Sequence, residues 1–344
     1  MKLSKGAPLT TVDPMGARVP WFFRRNCFSD MHHIEIVTRL EGEHFEPLSE
    51  LTEAASRADG HEPIGEHKFL RLQHGDDLAI AFLAQESDQL VGYAHTLTYG
   101  TGDDRRVSCE LVVHPEVRRS GIGRTLLDYV IRHAESEGAR RLDLWAYNDS
   151  DASRAIAGGF GMKATRRLLH MHRHPGPPPQ PAHPDGVTIR PFKAGEDEMW
   201  LELNNHVFAG HPEQGNWTQE DFRARTAQEW FRPEDLLVLE VDGAPAGFCW
   251  TKVENRGDEG SVGEIYVIGT DPAQHGKGLG RYLLGEGLRH LSEREVRTVA
   301  VYVDESNERA IVLYESFDFH HHHADVMYSL PLPVESRRKI ALGS

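Results

Sequence analysis

Two short stretches of the chain combine glycines and basic residues at a spacing that suits an anion. The first is Arg118-Arg119-Ser120-Gly121-Ile122-Gly123-Arg124. The second is His275-Gly276-Lys277-Gly278-Leu279-Gly280-Arg281. Glycine lacks the Cβ that would hold a phosphate away from backbone N–H groups. A helix starting at such a turn adds unpaired donors and the positive end of its dipole. Arg118, Arg119 and Arg124 supply charge in the first stretch, and Lys277 and Arg281 in the second. A tight structural turn is the plain alternative for a single Gly-x-Gly, and the recurrence favours binding. Two familiar phosphate loops fit badly. A Walker loop needs Ser or Thr after Gly-Lys, and Gly278 follows Lys277 here. A dinucleotide fingerprint opens a parallel βαβ unit near its first strand, whereas these turns come late. The run His320–His323 invites a metal reading. Strand alternation would send neighbouring histidines to opposite faces, so no metal is expected and the run reads as a solvated or interfacial strand.

These groups need elements to position them, and the chain supplies the same set twice. The stretch 174–186 holds six prolines, which forbid helix and ladder pairing and make a stiff linker. On each side an alternating strand comes first (His33–Val37; Val187–Arg190). A hairpin follows, Ala79–Ala84 with Leu90–Tyr99 about Asp88-Gln89, then Leu236–Val241 with Ala246–Val253 about Asp242-Gly243. Next come an apolar strand, a proline, the glycine turn and a helix (Arg124–Glu137; Arg281–Glu293). A strand (Arg141–Ala146; Thr298–Val303), a helix and a last strand close each copy. Pro115 and Pro272, Gly121 and Gly278, and Gly123 and Gly280 match at one constant offset. The expected fold is α/β with a mixed sheet, built from two tandem units of about 150 residues.

On these residues the chain resembles the GNAT superfamily of acetyl-CoA-dependent N-acetyltransferases, whose signature is Arg/Gln-x-x-Gly-x-Gly/Ala at the start of a helix. Arg118–Gly123 matches fully, and His275–Gly280 has His at the first position. A second family element, Asn-x-x-Ala-x-x-x-Tyr, matches Asn307–Tyr314, with Asp318-Phe319 where Gly-Phe is usual. In the first copy Ser150, Ser153 and Ala157 stand opposite Asn307, Ala310 and Tyr314. The segments 59–66, 208–217, 247–252 and 263–267 further resemble tandem members of that superfamily in actinobacteria, over about residues 33–331. Those relatives acetylate the cysteinyl amine of a small pseudodisaccharide, cysteinyl-glucosaminyl-inositol.

The resemblance implies roles for particular residues. Tyr314 protonates the departing CoA thiolate, and Ala157 cannot, so the second unit is the transferase while the first binds CoA without turnover. Glu264 acts as base on the acceptor amine. Ile268, Gly269 and Thr270 offer backbone donors to the thioester and pantetheine, with Leu111, Val112 and Val113 as the matching segment of the first copy. His275, Gly276, Lys277, Gly278, Leu279, Gly280 and Arg281 hold the pyrophosphate. Arg119, Ser120, Gly121, Ile122, Gly123 and Arg124 do so in the first copy. Asn307, Glu308, Arg309, Ala310, Ile311 and Val312 flank the pantetheine arm and the path toward adenine. Glu213, Lys252, Glu264 and Tyr302 bind the acceptor, with Glu66 reaching in from the first unit. For Lys252 and Glu213 the alternative is an ordinary surface charge, and for Glu264 a strand-end carboxylate facing solvent.

Whole-chain properties agree with such an enzyme. The sequence has 344 residues and a formal charge of −15, against general nucleic-acid binding. No apolar run reaches the roughly 20 residues a membrane span needs. Cys27, Cys109 and Cys249 are widely spaced, which fits a reducing cytoplasm. The expected order is an extension (1–30), a first unit (31–173), the linker (174–186), a catalytic unit (187–334) and a tail (335–344). The extension reads as a flexible arm or as residues ahead of an internal start at Met31, with a partner-binding arm as the lesser alternative. A monomer acting on a small molecule is expected. Two alternatives stay open: a tandem acetyltransferase for an aminoglycoside, polyamine or protein amine, and a non-catalytic CoA-binding sensor.

Overall fold

The structure is a computed structural model that describes residues 33–65, 78–87, 89–174, 176–211, 214–255 and 260–333. The extension 1–30 and the tail 335–344 lie outside the described residues. The first repeat runs β1 (His33–Val37), α1 (Gly42–Asp59), β2 (Ala79–Glu86), β3 (Gln89–Tyr99), β4 (Arg106–Val113), α2 (Ile122–Ser136), β5 (Arg141–Ala146), α3 (Asp151–Gly159) and β6 (Lys163–Arg173). The second runs β7 (Val187–Pro191), α4 (Asp197–Val207), α5 (Gln219–Thr226), β8 (Leu236–Val241), β9 (Ala244–Asn255), β10 (Ser261–Thr270), α6 (Leu279–Ser292), β11 (Thr298–Asp304), α7 (Glu308–Glu315) and β12 (His320–Pro331). Helices α2 and α6 begin two residues before the expected Arg124 and Arg281. Their N-caps, Gly121 and Gly278, are left-handed at φ +98° and +78°, a conformation glycine adopts without steric cost.

All twelve strands form one sheet in the order β1-β2-β3-β4-β5-β12-β6-β11-β10-β9-β8-β7. The last strands are exchanged. β12 pairs with β5 of the first repeat, β6 pairs with β11 of the second, and the two exchanged strands pair with each other. The hydrophobic cores under α2 and α6 therefore each contain residues from both repeats. Val326 and Tyr328 of β12 join Leu126, Leu127 and Val130 of α2. Leu169 and Met171 of β6 join Leu283, Leu284 and Leu288 of α6. At about 1.5–3 kcal/mol for a fully buried large apolar side chain, these four positions weigh heavily in the stability of either half.

Strand alternation sorts the rest of the sheet into two faces. One face carries α2 and α6. The other carries α1 over β2–β4, packed on Tyr93, Leu97 and Val112. It also carries α4 and α5, packed in an aromatic core of Trp200, Phe222, Phe248 and Trp250. On this second face the central strands β5, β12, β6 and β11 lie between the two helical layers.

The proline linker is fixed in place. Arg173 donates to the carbonyls of Gly176 and Pro177 at 3.2 Å each and to that of Phe317 at 2.9 Å. Pro181 rests on α6 at Gly285, where a Cβ would come within 2.7 Å of its ring. Among the described residues no helix is long and apolar enough to cross a membrane.

Candidate active site

The site begins where two parallel strands part. β10 and β11 pair only from Val262–Thr298 to Ile265–Val301. Beyond that point β10 follows β9 to Thr270, and β11 follows β6 to Asp304. A register shift against β9 between Ile265 and Val267 makes Tyr266 the extra residue of a bulge. The splay leaves backbone groups of β10 without a strand partner and opens a cavity of about 1180 Å³. Glu264–Ile268 line one wall, and Val301–Asn307, Ala310 and Tyr314 another. Arg106, Ser108, Arg141, Asp143, Trp145 and the segment 164–168 also line it. The cavity lies between the repeats because the exchange carries β6 across.

Below the splay the glycine turn forms an open cradle. Asp271 accepts from the N–H of Ala273 at 2.8 Å. That bond, with a smaller contribution from His206, holds its carboxyl below the usual range against the opposing effect of desolvation. Gly276 and Gly278 have φ of +82° and +78°, and a Cβ on either would meet nothing within 4 Å. The space next to their N–H groups suits a bulky anion. Lys277 Nζ donates to Gln274 at 2.7 Å, and Arg281 donates to Ser316 Oγ at 2.6 Å with its guanidinium over Phe317.

In the first repeat Gly121 leaves the same open space at φ +98°, and Arg119 takes the place of Gly276 at φ +68°. Arg118 is committed elsewhere. It forms a two-pronged pair with Asp59 at the end of α1, 2.7 Å for each bond, and donates to the Val113 carbonyl at 3.1 Å. The Arg118 guanidinium therefore already has a carboxylate partner, whereas the sequence reading gave its charge to the anion. Leu111–Val113 lie at the end of β4, where β4 has left β5.

Tyr314 sits near the C-terminus of α7 and lines the cavity. It is 5% exposed and packs against Phe319 at 5.7 Å between ring centres. Burial, and to a lesser degree Cys249, raises its pKa above the ordinary tyrosine value, so its hydroxyl keeps its proton. Asn307 caps α7 by accepting from the Ala310 N–H at 3.2 Å, while Glu308, Arg309 and Val312 face outward. Asp318 adopts φ +62°, the conformation for which the usual glycine of this position is suited.

Glu264 is half-buried on the cavity wall, in register with Lys252 of β9 and Ala300 of β11. Lys252 is 7% exposed, so it is not an ordinary surface charge. Its ammonium pairs with Glu254 at 2.6 Å and lies over the Trp230 ring at 4.8 Å. Tyr302 is 40% exposed, lines the cavity and meets His170 edge-on at 4.0 Å. Glu66 and Glu213 lie outside the described residues. The neighbours of Glu213, His211 and Gln214, line the cavity.

Pairing registers align the two copies residue by residue. Val262 faces Thr298 as Arg106 faces Arg141, so Ser108 occupies the place of Glu264. Ala157 occupies that of Tyr314. No register shift interrupts β3–β4, and there the Glu110 carboxylate bridges the gap between β4 and β5. It accepts from Tyr147 Oη and from the Gly65 N–H, both at 2.7 Å.

The motifs did not point to the opposite wall. Arg166 Nε donates to Asp304 at 2.6 Å with its guanidinium over the Trp145 ring at 5.3 Å. These residues come from β5, β6 and β11, which the exchanged sheet order gathers at one wall, so no local pattern marks them.

Comparison with known proteins agrees with this architecture. The sequence pattern described as the acetyltransferase (GNAT) family matches residues 45–162 and again 198–319. A mycothiol acetyltransferase from Thermomonospora curvata is 44% identical over 286 residues, covering 82% of this chain and 92% of that protein. One from Thermobispora bispora is 42% identical over 288 residues, covering 82% and 95%. Among solved structures, a tandem GNAT protein from the clavulanic acid biosynthesis pathway superposes with a TM-score of 0.66. It is 17% identical and covers 87% of this chain and 98% of that one, a likeness of fold alone.

Proposed function

The chain belongs to the acetyltransferase (GNAT) family, and on that premise we propose that it is the acyltransferase that completes mycothiol synthesis. It moves the acetyl group of acetyl-CoA onto the cysteinyl amine of cysteinyl-glucosaminyl-inositol. The observation that carries the assignment of labour is a pair of residues. Glu264 and Tyr314 line one cavity at a splayed strand pair, while Ser108 and Ala157 hold the equivalent places in the first repeat. Support for this substrate comes from relatives named mycothiol acetyltransferase at 44% and 42% identity over most of both chains.

The chemistry needs a neutral amine, an aligned carbonyl and an acid for the leaving thiolate. The cradle at Gly276–Arg281 holds the pyrophosphate of acetyl-CoA, which supplies the acyl group. Backbone N–H groups along Ile268–Thr270 hold pantetheine and the thioester oxygen, where charge develops. Glu264 takes a proton from the acceptor ammonium, directly or through water. An α-amine of about pKa 7.7–8 makes that a modest task. Tyr314 donates its proton to the thiolate. Lys252, Tyr302 and Glu264 bind the acceptor, together with Glu66 and Glu213. The first repeat binds CoA without turnover. The protein acts on a small molecule as a monomer, and its free buried thiols Cys109 and Cys249 suit a reducing cytoplasm.

The test is mass spectrometry of small thiols in a cell lacking this protein, with an assay of the purified chain. Accumulation of the unacetylated cysteinyl pseudodisaccharide, and its acetylation in vitro, are expected. Normal mycothiol levels in that cell, or a strong preference for an aminoglycoside or polyamine in vitro, would overturn the substrate.

A further inference from the structure

The histidine run does not alternate simply. β12 pairs with β6 through His320–His172 and His321–Met171, then slips, so that His323 pairs with His170. His322 is the extra residue of this bulge. The slip brings His323 onto the face that carries His170 and Tyr302, which strict alternation would have denied it. His322 Nδ1 and His323 Nδ1 come within 2.6 Å, and the rings of His172 and His322 stack at 4.2 Å. Asp325, two residues further on, reaches the same face. Its carboxylate is 2% exposed, accepts from the Asn148 N–H at 2.9 Å and meets His170 Nε2 at 2.6 Å. One ligating atom from each of His170, His323 and Asp325 lies within 4.8 Å of the other two.

We propose that His170, His323 and Asp325 form a site for a divalent first-row transition metal ion, such as zinc or nickel, that bridges the exchanged strands β6 and β12. Imidazole with carboxylate is the donor set such ions prefer, whereas calcium and magnesium seek oxygen alone. Bonds of about 2.0–2.2 Å to zinc place neighbouring ligand atoms roughly 3–4 Å apart. The three side chains therefore need to shift by no more than about an ångström. The Asn148 N–H bond to the second Asp325 oxygen is the outer contact that orients a ligating carboxylate. His322 or water completes the coordination. The ion takes no part in acyl transfer, since its ligands stand on β6 and β12 and the reacting groups on β10 and α7. Its effect is on cohesion. β6 and β12 hold the two repeats together, and a ligand that binds only the folded chain raises its stability.

The experiment uses the untagged full-length chain, stripped with chelator and titrated with zinc chloride, followed by calorimetry and by thermal unfolding. One ion per chain and a rise in Tm, reversed by chelator, are expected. His323→Ala, at a partly exposed position, should weaken binding at least about tenfold, as should Asp325→Asn, with circular dichroism checking that each variant folds. The double variant His320→Ala, His321→Ala should bind as the parent does. Absence of both heat and Tm shift at about 0.1 mM zinc would overturn the site. So would affinity that survives His323→Ala and vanishes in the double variant, because the exposed run alone would then be the chelator.

Discussion

Tyr314 and Glu264 divide the proton chemistry, and each predicts a different failure. Tyr314→Phe removes one oxygen and leaves the ring packed on Phe319. Acetyl-CoA affinity should persist, because backbone donors and phosphate contacts are untouched. Turnover should fall by about ten- to a thousandfold, around the lower range of general acid catalysis, with kcat and kcat/KM lowered together. Single-turnover kinetics are the right readout, and chemistry at the parental rate would leave water as the acid. The pKa shift has a sign that can be checked. Burial raises the Tyr314 pKa, so the protonated, donating form persists as pH rises. A wild-type profile of kcat should show no descending limb from tyrosinate near pH 10, the ordinary tyrosine value of about 10. Glu264→Gln behaves otherwise. A base matters while the amine is charged, so the deficit should be large below the amine pKa of about 7.7–8 and shrink above it. A deficit of constant size across that range would leave Glu264 as an acceptor contact alone.

The glycine turns show what a sequence can reveal about an element. Gly121 and Gly278 hold φ angles that other residues adopt only with strain, so their spacing, the helices behind them and the repeat were legible in the residue order. The two-residue error at each helix start came from the same source, since a left-handed glycine can cap a helix that begins immediately after it. For Lys252 the residues alone left a surface charge as an alternative to acceptor binding, because Trp230 and Tyr266 reach it only through the fold. The bulge at Tyr266 was equally hidden. Nothing in Glu264-Ile-Tyr-Val267 announces an extra residue until β9 is laid alongside. Substitution at the turns separates the repeats. Glutamate at either position places a carboxylate where a pyrophosphate would sit and strains the backbone. Gly278→Glu should abolish turnover and one CoA-binding event. Gly121→Glu should remove the other binding event while turnover falls far less, as calorimetry and an acetylation assay can check. Equal loss of turnover in the two variants would mean that the first repeat contributes to chemistry.

At the scale of the whole molecule the strand exchange governs what the chain can do when cut. The linker suggests separable units, and the local order of elements in each repeat contains no sign that β6 and β12 trade places. Strand composition is silent on the matter, because an exchanged strand and its own-domain counterpart need the same alternation of apolar residues. The consequence is specific. Without the second repeat, the core under α2 loses Val326 and Tyr328, and without the first, the core under α6 loses Leu169 and Met171. At about 1.5–3 kcal/mol for each large buried side chain, either loss is a large share of a typical stability of about 5–15 kcal/mol. The cut also exposes an unpaired edge on β5 or β11, a template for association. The second repeat alone would retain Glu264, Tyr314 and the cradle and still lack Trp145 and Arg166 from the cavity wall. Residues 174–344 expressed alone should therefore be self-associated and nearly inactive, although every group assigned to proton transfer is present. Co-expression with residues 1–173 should restore a soluble one-to-one pair and much of the turnover, because the exchanged strands can meet in trans. Size-exclusion chromatography and the acetylation assay read both outcomes. A monomeric second repeat with the parental kcat/KM would show that β6 and the first-repeat wall are dispensable, and the argument from the exchange to the site would fail.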